Sequence, residues 1–159
     1  MKSRLVSSEP DKRTFVIVLD SGEEAFSTIT AFAERERIVG ASLTALGAFE
    51  HAKVGWFDLE SKQYRPIHIN EQGEVLSILG DIAVGDNGTP TLHIYTVLGL
   101  KDGTTRGGHL MEGIVRPTLE VVVTETKQQL RRRQRPGIGI ALIDLSQAIC
   151  SSLSGDTQP

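Results

Sequence analysis

Imidazole is the side chain best suited to binding a metal or moving a proton near neutral pH, and two of this chain's four histidines fall on either side of one turn signal. His93 stands in Thr91-Leu92-His93-Ile94-Tyr95 and His109 in Gly107-Gly108-His109-Leu110, with Asp102-Gly103 between them. Asp-Gly flanked by apolar runs is a strong hairpin signature. Two histidines on paired strands can meet at a metal, at a substrate or at a subunit contact. Neutral imidazole suits zinc, nickel, copper or iron, so His93 and His109 are candidate ligands for a divalent transition metal such as zinc. Glu112 or Glu74 would complete the shell, and Gly107 and Gly108 would let a ligand or partner approach the backbone closely. Asp81 and Glu74 are candidate acid–base carboxylates if they lie near His93. His51, after Phe49-Glu50, reads as loop-exposed, and His68, in Ile67-His68-Ile69, as the solvent face of a strand.

The register of the hairpin decides whether the two histidines meet. A two-residue Asp102-Gly103 loop sets His93 opposite Glu112 and His109 opposite Thr96, on opposite faces. A three-residue Lys101-Asp102-Gly103 loop pairs Tyr95 with His109 and His93 with Met111, which puts both imidazoles on one face. A slip of one residue exchanges the faces, a bulge at Gly107-Gly108 would reset the parity, and the sequence leaves both arrangements open.

The elements that must position this hairpin are mostly short strands. Arg13 to Leu19 is β-branched and apolar and reads as the first strand, ending at Asp20-Ser21-Gly22. A helix follows: Ser21 with Glu24 fits a capping box, and Ala25, Phe26, Ile29, Phe32 and Ala33 recur at helical spacing. Further strands are expected over 38–49, 52–57, 64–70 and 73–84, then in the two arms of the hairpin with a break near Gly113, then over 117–126 and 137–145. One helix and many hairpin-linked strands predict an α+β domain on an antiparallel sheet, spanning 1–150. The polar, small-residue stretch Ser151 to Pro159 reads as a disordered tail.

Composition excludes several classes. No apolar run approaches membrane-spanning length, and the start of the chain has no apolar signal core. Cys150 is the single cysteine, so no internal disulfide or cysteine-based zinc motif is available, and a cytoplasmic location is expected. The net charge of −3 counts against autonomous nucleic-acid binding. No phosphate-binding glycine motif follows a strand, and Ser77 lacks both a nucleophile elbow and an evident base.

Several segments stand together in a familiar order: Ala45-Leu46-Gly47-Ala48, Gly55-Trp56-Phe57-Asp58, Glu74-Val75-Leu76-Ser77-Ile78-Leu79-Gly80, Thr91-Leu92-His93, Gly107-Gly108-His109-Leu110 and Pro117-Thr118-Leu119-Glu120-Val121. Over roughly Arg13 to Leu145 the chain resembles the PPC domain (plants and prokaryotes conserved, also called DUF296). That resemblance implies an antiparallel sheet with a helix against it, a homotrimer, and a binding module that is DNA-associated or protein-interacting. Plant members carry Gly-Arg-Phe where Glu71-Gln72-Gly73 stands here. The closest match to an AT-hook is Arg131-Arg132-Arg133-Gln134-Arg135-Pro136-Gly137, in which Gln134 replaces the glycine that lets such a hook lie in the minor groove. Arg131, Arg132, Arg133 and Arg135 are the candidate DNA contacts, in what reads as a basic connector between strands. The leading expectation is a trimeric binding module; the alternative is a small metal- or ligand-binding protein, an enzyme included, with its histidine site at a subunit boundary.

Overall fold

The computed structural model describes residues 1–10 and 12–146. Its elements are β1 (Lys2–Glu9), β2 (Lys12–Asp20), α1 (Ala25–Arg35), β3 (Gly40–Asp58), β4 (Gln63–Ile69), β5 (Gly73–Val84), β6 (Pro90–Gly99), β7 (Thr105–Glu125), β8 (Arg132–Arg135) and β9 (Ile140–Ile143). The expected tail and Cys150 lie outside the described residues.

The α1 stripe expected from the sequence is the buried one: Ala25, Ile29, Phe32 and Ala33 face inward. They pack on the inward residues of β2, Phe15, Ile17 and Leu19, and Phe15 meets Phe32 edge-on at 5.3 Å. Burying side chains of this size stabilises a fold by about 1.5–3 kcal/mol each, and this layer closes one side of the core. The cap differs from expectation. Ser21 and Gly22 are spent on a turn, with Gly22 at φ +88°, and Glu24 is the N-cap, accepting from the amides of Phe26 and Ser27. The same carboxylate accepts from the Gly113 amide at 3.1 Å, tying the helix start to β7.

The strands form a seven-stranded sheet in the order β1-β2-β7-β6-β5-β3-β4, and β7 also pairs with β3. That extra pairing closes the circuit β3–β5–β6–β7 into a small barrel, with every pairing antiparallel. Two strands do most of the closing. The segments expected over 38–49 and 52–57 are one 19-residue strand, β3. Likewise β7 runs 21 residues, through the break expected near Gly113. Both bend at register shifts rather than ending, because bulges kink a strand without terminating it. Gly113 allows this bend by lying flat against the Phe49 ring; a Cβ there would fall 2.7 Å from the ring. His51, expected in a loop, sits inside β3 opposite Ile114.

β1 was not legible as a strand. All eight of its residues are exposed, so its ladder to β2 rests on backbone hydrogen bonds and leaves no alternating apolar signal. The basic run at 131–135, expected as a connector, is strand β8, which pairs with β9 in a separate two-stranded sheet.

Candidate functional site

The hairpin takes the longer loop. Leu100 and Thr104 are joined by an N–H···O bond of 2.9 Å, and the Gly103 amide donates to the Leu100 carbonyl. Gly103, at φ +80°, adopts the left-handed conformation that closes such a loop, and Asp102 accepts from Thr104 through both its amide and its hydroxyl. Tyr95 therefore pairs with His109. Both histidines lie on one face, their ring centroids 5.3 Å apart.

The neighbouring pair His93–Met111, which a straight ladder would add, is not formed. The β6–β7 ladder stops at Tyr95–His109, and from His109 onward β7 pairs with β3, with His109 opposite Gly55. The strands splay where the histidines stand, and a cleft of about 480 Å³ opens there. Tyr64 of β4 reaches over Gly55 to stack on His109 at 4.9 Å. Only glycine permits this, since a Cβ on residue 55 would fall 2.8 Å from the Tyr64 ring. Tyr95 meets His93 and His109 edge-on.

Asp81 lies directly across from His93 on β5, its carboxylate 3.9 Å from Nδ1. On its other side the Asp81 carboxylate accepts from the Arg132 guanidinium, which also donates to the Thr91 hydroxyl at 3.1 Å. Arg132 is 6 % exposed. Gln134, Ile140 and Ala141 join it on the β8–β9 side of the cleft, facing Tyr64, Asp86, Asn87, Thr91 and both histidines.

The electrostatics keep both imidazoles neutral. Burial, the neighbouring His93 and then the Arg132 cation push His109 down to about 4. Burial and Arg132 also lower His93, against a smaller upward pull from Asp81. Burial raises the Tyr64 phenol. Two buried nitrogens among the described residues have no hydrogen-bond partner, His109 Nδ1 and Arg132 Nε.

The sequence candidates separate accordingly. His93 and His109 come together, with Asp81 beside them. Glu74 lines a different groove, with Glu71, Lys101 and Thr105, and Glu112 stands opposite Lys53; neither lines the histidine cleft. The open backbone of Gly107 and Gly108 is filled by neighbouring strands, since a Cβ there would fall 2.5 Å from the Thr96 carbonyl and 2.7 Å from that of Gly55. Arg132 is buried in the cleft wall and is not on a basic surface. Arg133 and Arg135 are half-exposed and pair with Asp144 at 3.1 and 3.6 Å, and Arg131 forms a parallel bridge with Val84. Among the described residues no group of three or more His, Cys, Asp or Glu is arranged to hold a metal. Tyr64 and Arg132 are the cleft residues that sequence reasoning missed; the one local hint was Gly55, a glycine inside a strand pattern, which marks a close approach.

Residues 6–127 match the family model of the Plants and Prokaryotes Conserved (PCC, or PPC) domain. The chain belongs to the PPC family. Its fold matches a crystal structure of a PPC protein from Pyrococcus horikoshii with a TM-score of 0.79 and 31 % identity, over 86 % of this chain and 94 % of that one. A metal-containing protein from Archaeoglobus fulgidus is also 31 % identical, with a TM-score of 0.76 over 90 % of this PPC chain and 99 % of its own. A Ralstonia eutropha protein named for presumed DNA binding is 27 % identical, with a TM-score of 0.76 over 82 % and 90 %. No curated protein gives a significant match. Among the described residues of this PPC protein, no helix is long and apolar enough to cross a membrane.

Proposed function

We propose that this PPC protein is a small-ligand-binding protein whose centre is the His93–His109 cleft, and that the two imidazoles hold a divalent transition metal such as zinc. The observation that carries this reading is the pair itself: two neutral imidazoles 5.3 Å apart on one face, with His109 Nδ1 buried and unpartnered. A metal ligand must be an unprotonated nitrogen, and burial makes these two unprotonated. Asp81 beside His93 Nδ1 fits the carboxylate–histidine orientation that tunes bound metals. Two protein ligands leave coordination positions free for water, a ligand oxygen or a side chain from a second copy. The metal-containing relative at 31 % identity supports the same reading.

The assembly we infer is a homotrimer. An outward-facing row crosses the barrel through Val122, Thr44, Leu79, Tyr95 and His109, each the cross-strand partner of the next. Leu79 is 60 % and Tyr95 49 % exposed, and Leu46 and Val97 extend the row. Exposed apolar side chains gathered on one face of a sheet mark an interaction site, and this row, interrupted by Thr44, ends at His109 beside the cleft. The lone cysteine fits the cytoplasm as the compartment. DNA contact through the basic run is the weaker reading. Arg132 is buried and paired with Asp81, Arg133 and Arg135 are paired with Asp144, and the chain is acidic overall.

Metal analysis of protein purified without an affinity tag tests the binding reading. About one zinc per chain is expected from a single site per copy. His93→Ala and His109→Ala should each weaken zinc binding by at least the roughly 10–100-fold that loss of an outer-shell partner costs, while leaving the fold intact. Unchanged metal content in both variants would refute it.

A further inference from the structure

We propose that the ligand of the histidine cleft is a small monocarboxylate with a second oxygen on the adjacent carbon, a 2-hydroxy or 2-oxo acid. Both oxygens bind the metal, and the aliphatic end lies against the β8–β9 hairpin. The inference rests on the reading of His93 and His109 as a zinc centre and adds what that centre takes.

Coordination sets the head of the ligand. The sheet brings two imidazoles to one face, and among the described residues no third His, Cys, Asp or Glu joins them in a group arranged to hold a metal. The nearest carboxylate, Asp81, is engaged by the Arg132 guanidinium. A tetrahedral zinc held by two side chains keeps two neighbouring positions open. Two oxygens on adjacent carbons of one molecule fill both, and the second bond then forms within the complex rather than from solution. Neutral imidazoles leave the full double charge on the metal, which favours an anionic oxygen.

The walls set the rest of the ligand. Among the described residues lining the cleft, Arg132 is the one fixed cation, and Asp81 already neutralises it. The other fixed charge in the lining is the Asp86 carboxylate. A second carboxylate on the ligand would therefore meet an anion and no unpaired cation, which disfavours dicarboxylates. The hairpin contributes Ile140 and Ala141, both half-buried, and the sheet contributes Leu92 and Tyr64. These surfaces suit a short aliphatic chain. The carboxamides of Asn87 and Gln134 also line the cleft; they can donate to a carboxylate or accept from a hydroxyl without adding charge. The volume of about 480 Å³ is ordinary for a small-molecule site.

The division of labour follows the chain. The family match ends at residue 127, and the hairpin lies beyond it. The matched domain supplies the metal ligands, and a segment outside it supplies the wall that selects among acids.

Calorimetric titration of zinc-loaded and zinc-free protein with three acids tests this, with zinc retention measured after dialysis. The probes are 2-hydroxyisovalerate, isovalerate, which lacks the second oxygen, and 2-hydroxyglutarate, which adds a distal carboxylate. Zinc-loaded wild type should bind 2-hydroxyisovalerate about 10-fold or more tighter than isovalerate. It should bind 2-hydroxyglutarate at least about 10-fold more weakly than 2-hydroxyisovalerate, because a carboxylate against an apolar wall loses its water without gaining a partner. Zinc-free protein should bind none of them comparably. Ile140→Lys should keep its zinc and narrow or reverse the preference against 2-hydroxyglutarate; the wild-type series decides the matter even if that variant does not fold. Equal binding of isovalerate, equal binding of 2-hydroxyglutarate, or zinc stripped into solution by 2-hydroxyisovalerate would each overturn the inference. Zinc retained by the wild type and lost in His93→Ala and His109→Ala, with no such preference among acids, would overturn this inference and leave the metal centre standing. A wild-type protein that takes up no zinc would sink both.

Discussion

At the scale of the residue, the site is a pair of imidazoles kept neutral by what surrounds them. His109 is lowered to about 4, first by burial, then by His93 and Arg132. An unfolded histidine takes up its proton near 6.5, so between these two values the unfolded chain binds more protons than the folded one. The stability that His109 contributes is therefore complete above about pH 6.5 and is lost as the pH falls toward about 4. The melting temperature should fall more steeply across that window in the wild-type protein than in His109→Gln, measured by thermal denaturation in metal-free buffer; identical slopes would show that His109 does not titrate this way. The two histidines were legible because their residue type and the Asp102-Gly103 signal stand in the sequence. Whether they shared a face was not, because it depends on one residue of loop length that Leu100 and Thr104 settle through their hydrogen bond. Arg132 read as a surface cation, since nothing local announces that its guanidinium folds inward onto a carboxylate 51 positions away.

At the scale of the element, glycine positions the site. Gly55 lets Tyr64 cross β3 and stack on His109. A methyl group there must displace the tyrosine ring or the Met111 sulfur, 3.1 Å away. Gly55→Ala should cost about 1–3 kcal/mol of stability as an overpacked position. It should also shift the His109 imidazole resonances by removing the ring above them; a variant as stable as wild type, with unmoved His109 signals, would contradict this role. The α1 stripe, β5 and the hairpin were readable because each carries a full local pattern of period or turn chemistry. The long strands β3 and β7 were not, because polar Glu50-His51 in β3 and Gly113 in β7 look like breaks, whereas the strands run on there through register shifts. Gly113 against Phe49 is the clearest case.

At the scale of the molecule, a closed barrel leaves an apolar row on its outside, and that row ends at the site. Its covering by further copies was expected from family resemblance alone, since outward apolar residues in alternation cannot be told from inward ones before the register is known. Leu79 sits mid-row between Thr44 and Tyr95 and is largely exposed in one chain, so Leu79→Lys should leave the fold intact while preventing association. Light scattering should give three times the 17.3 kDa chain mass for the wild type and a single chain mass for the variant; a trimeric variant would remove the row from the interface.

The metal centre joins these scales, and crystallographic anomalous scattering recorded above and below the zinc absorption edge tests it most directly. A single peak about 2.0–2.1 Å from a ring nitrogen of both His93 and His109, seen above the edge and absent below it, is the result expected of a zinc site. A zinc-loaded crystal with no peak between the two rings, or with its peak on other residues, would contradict it.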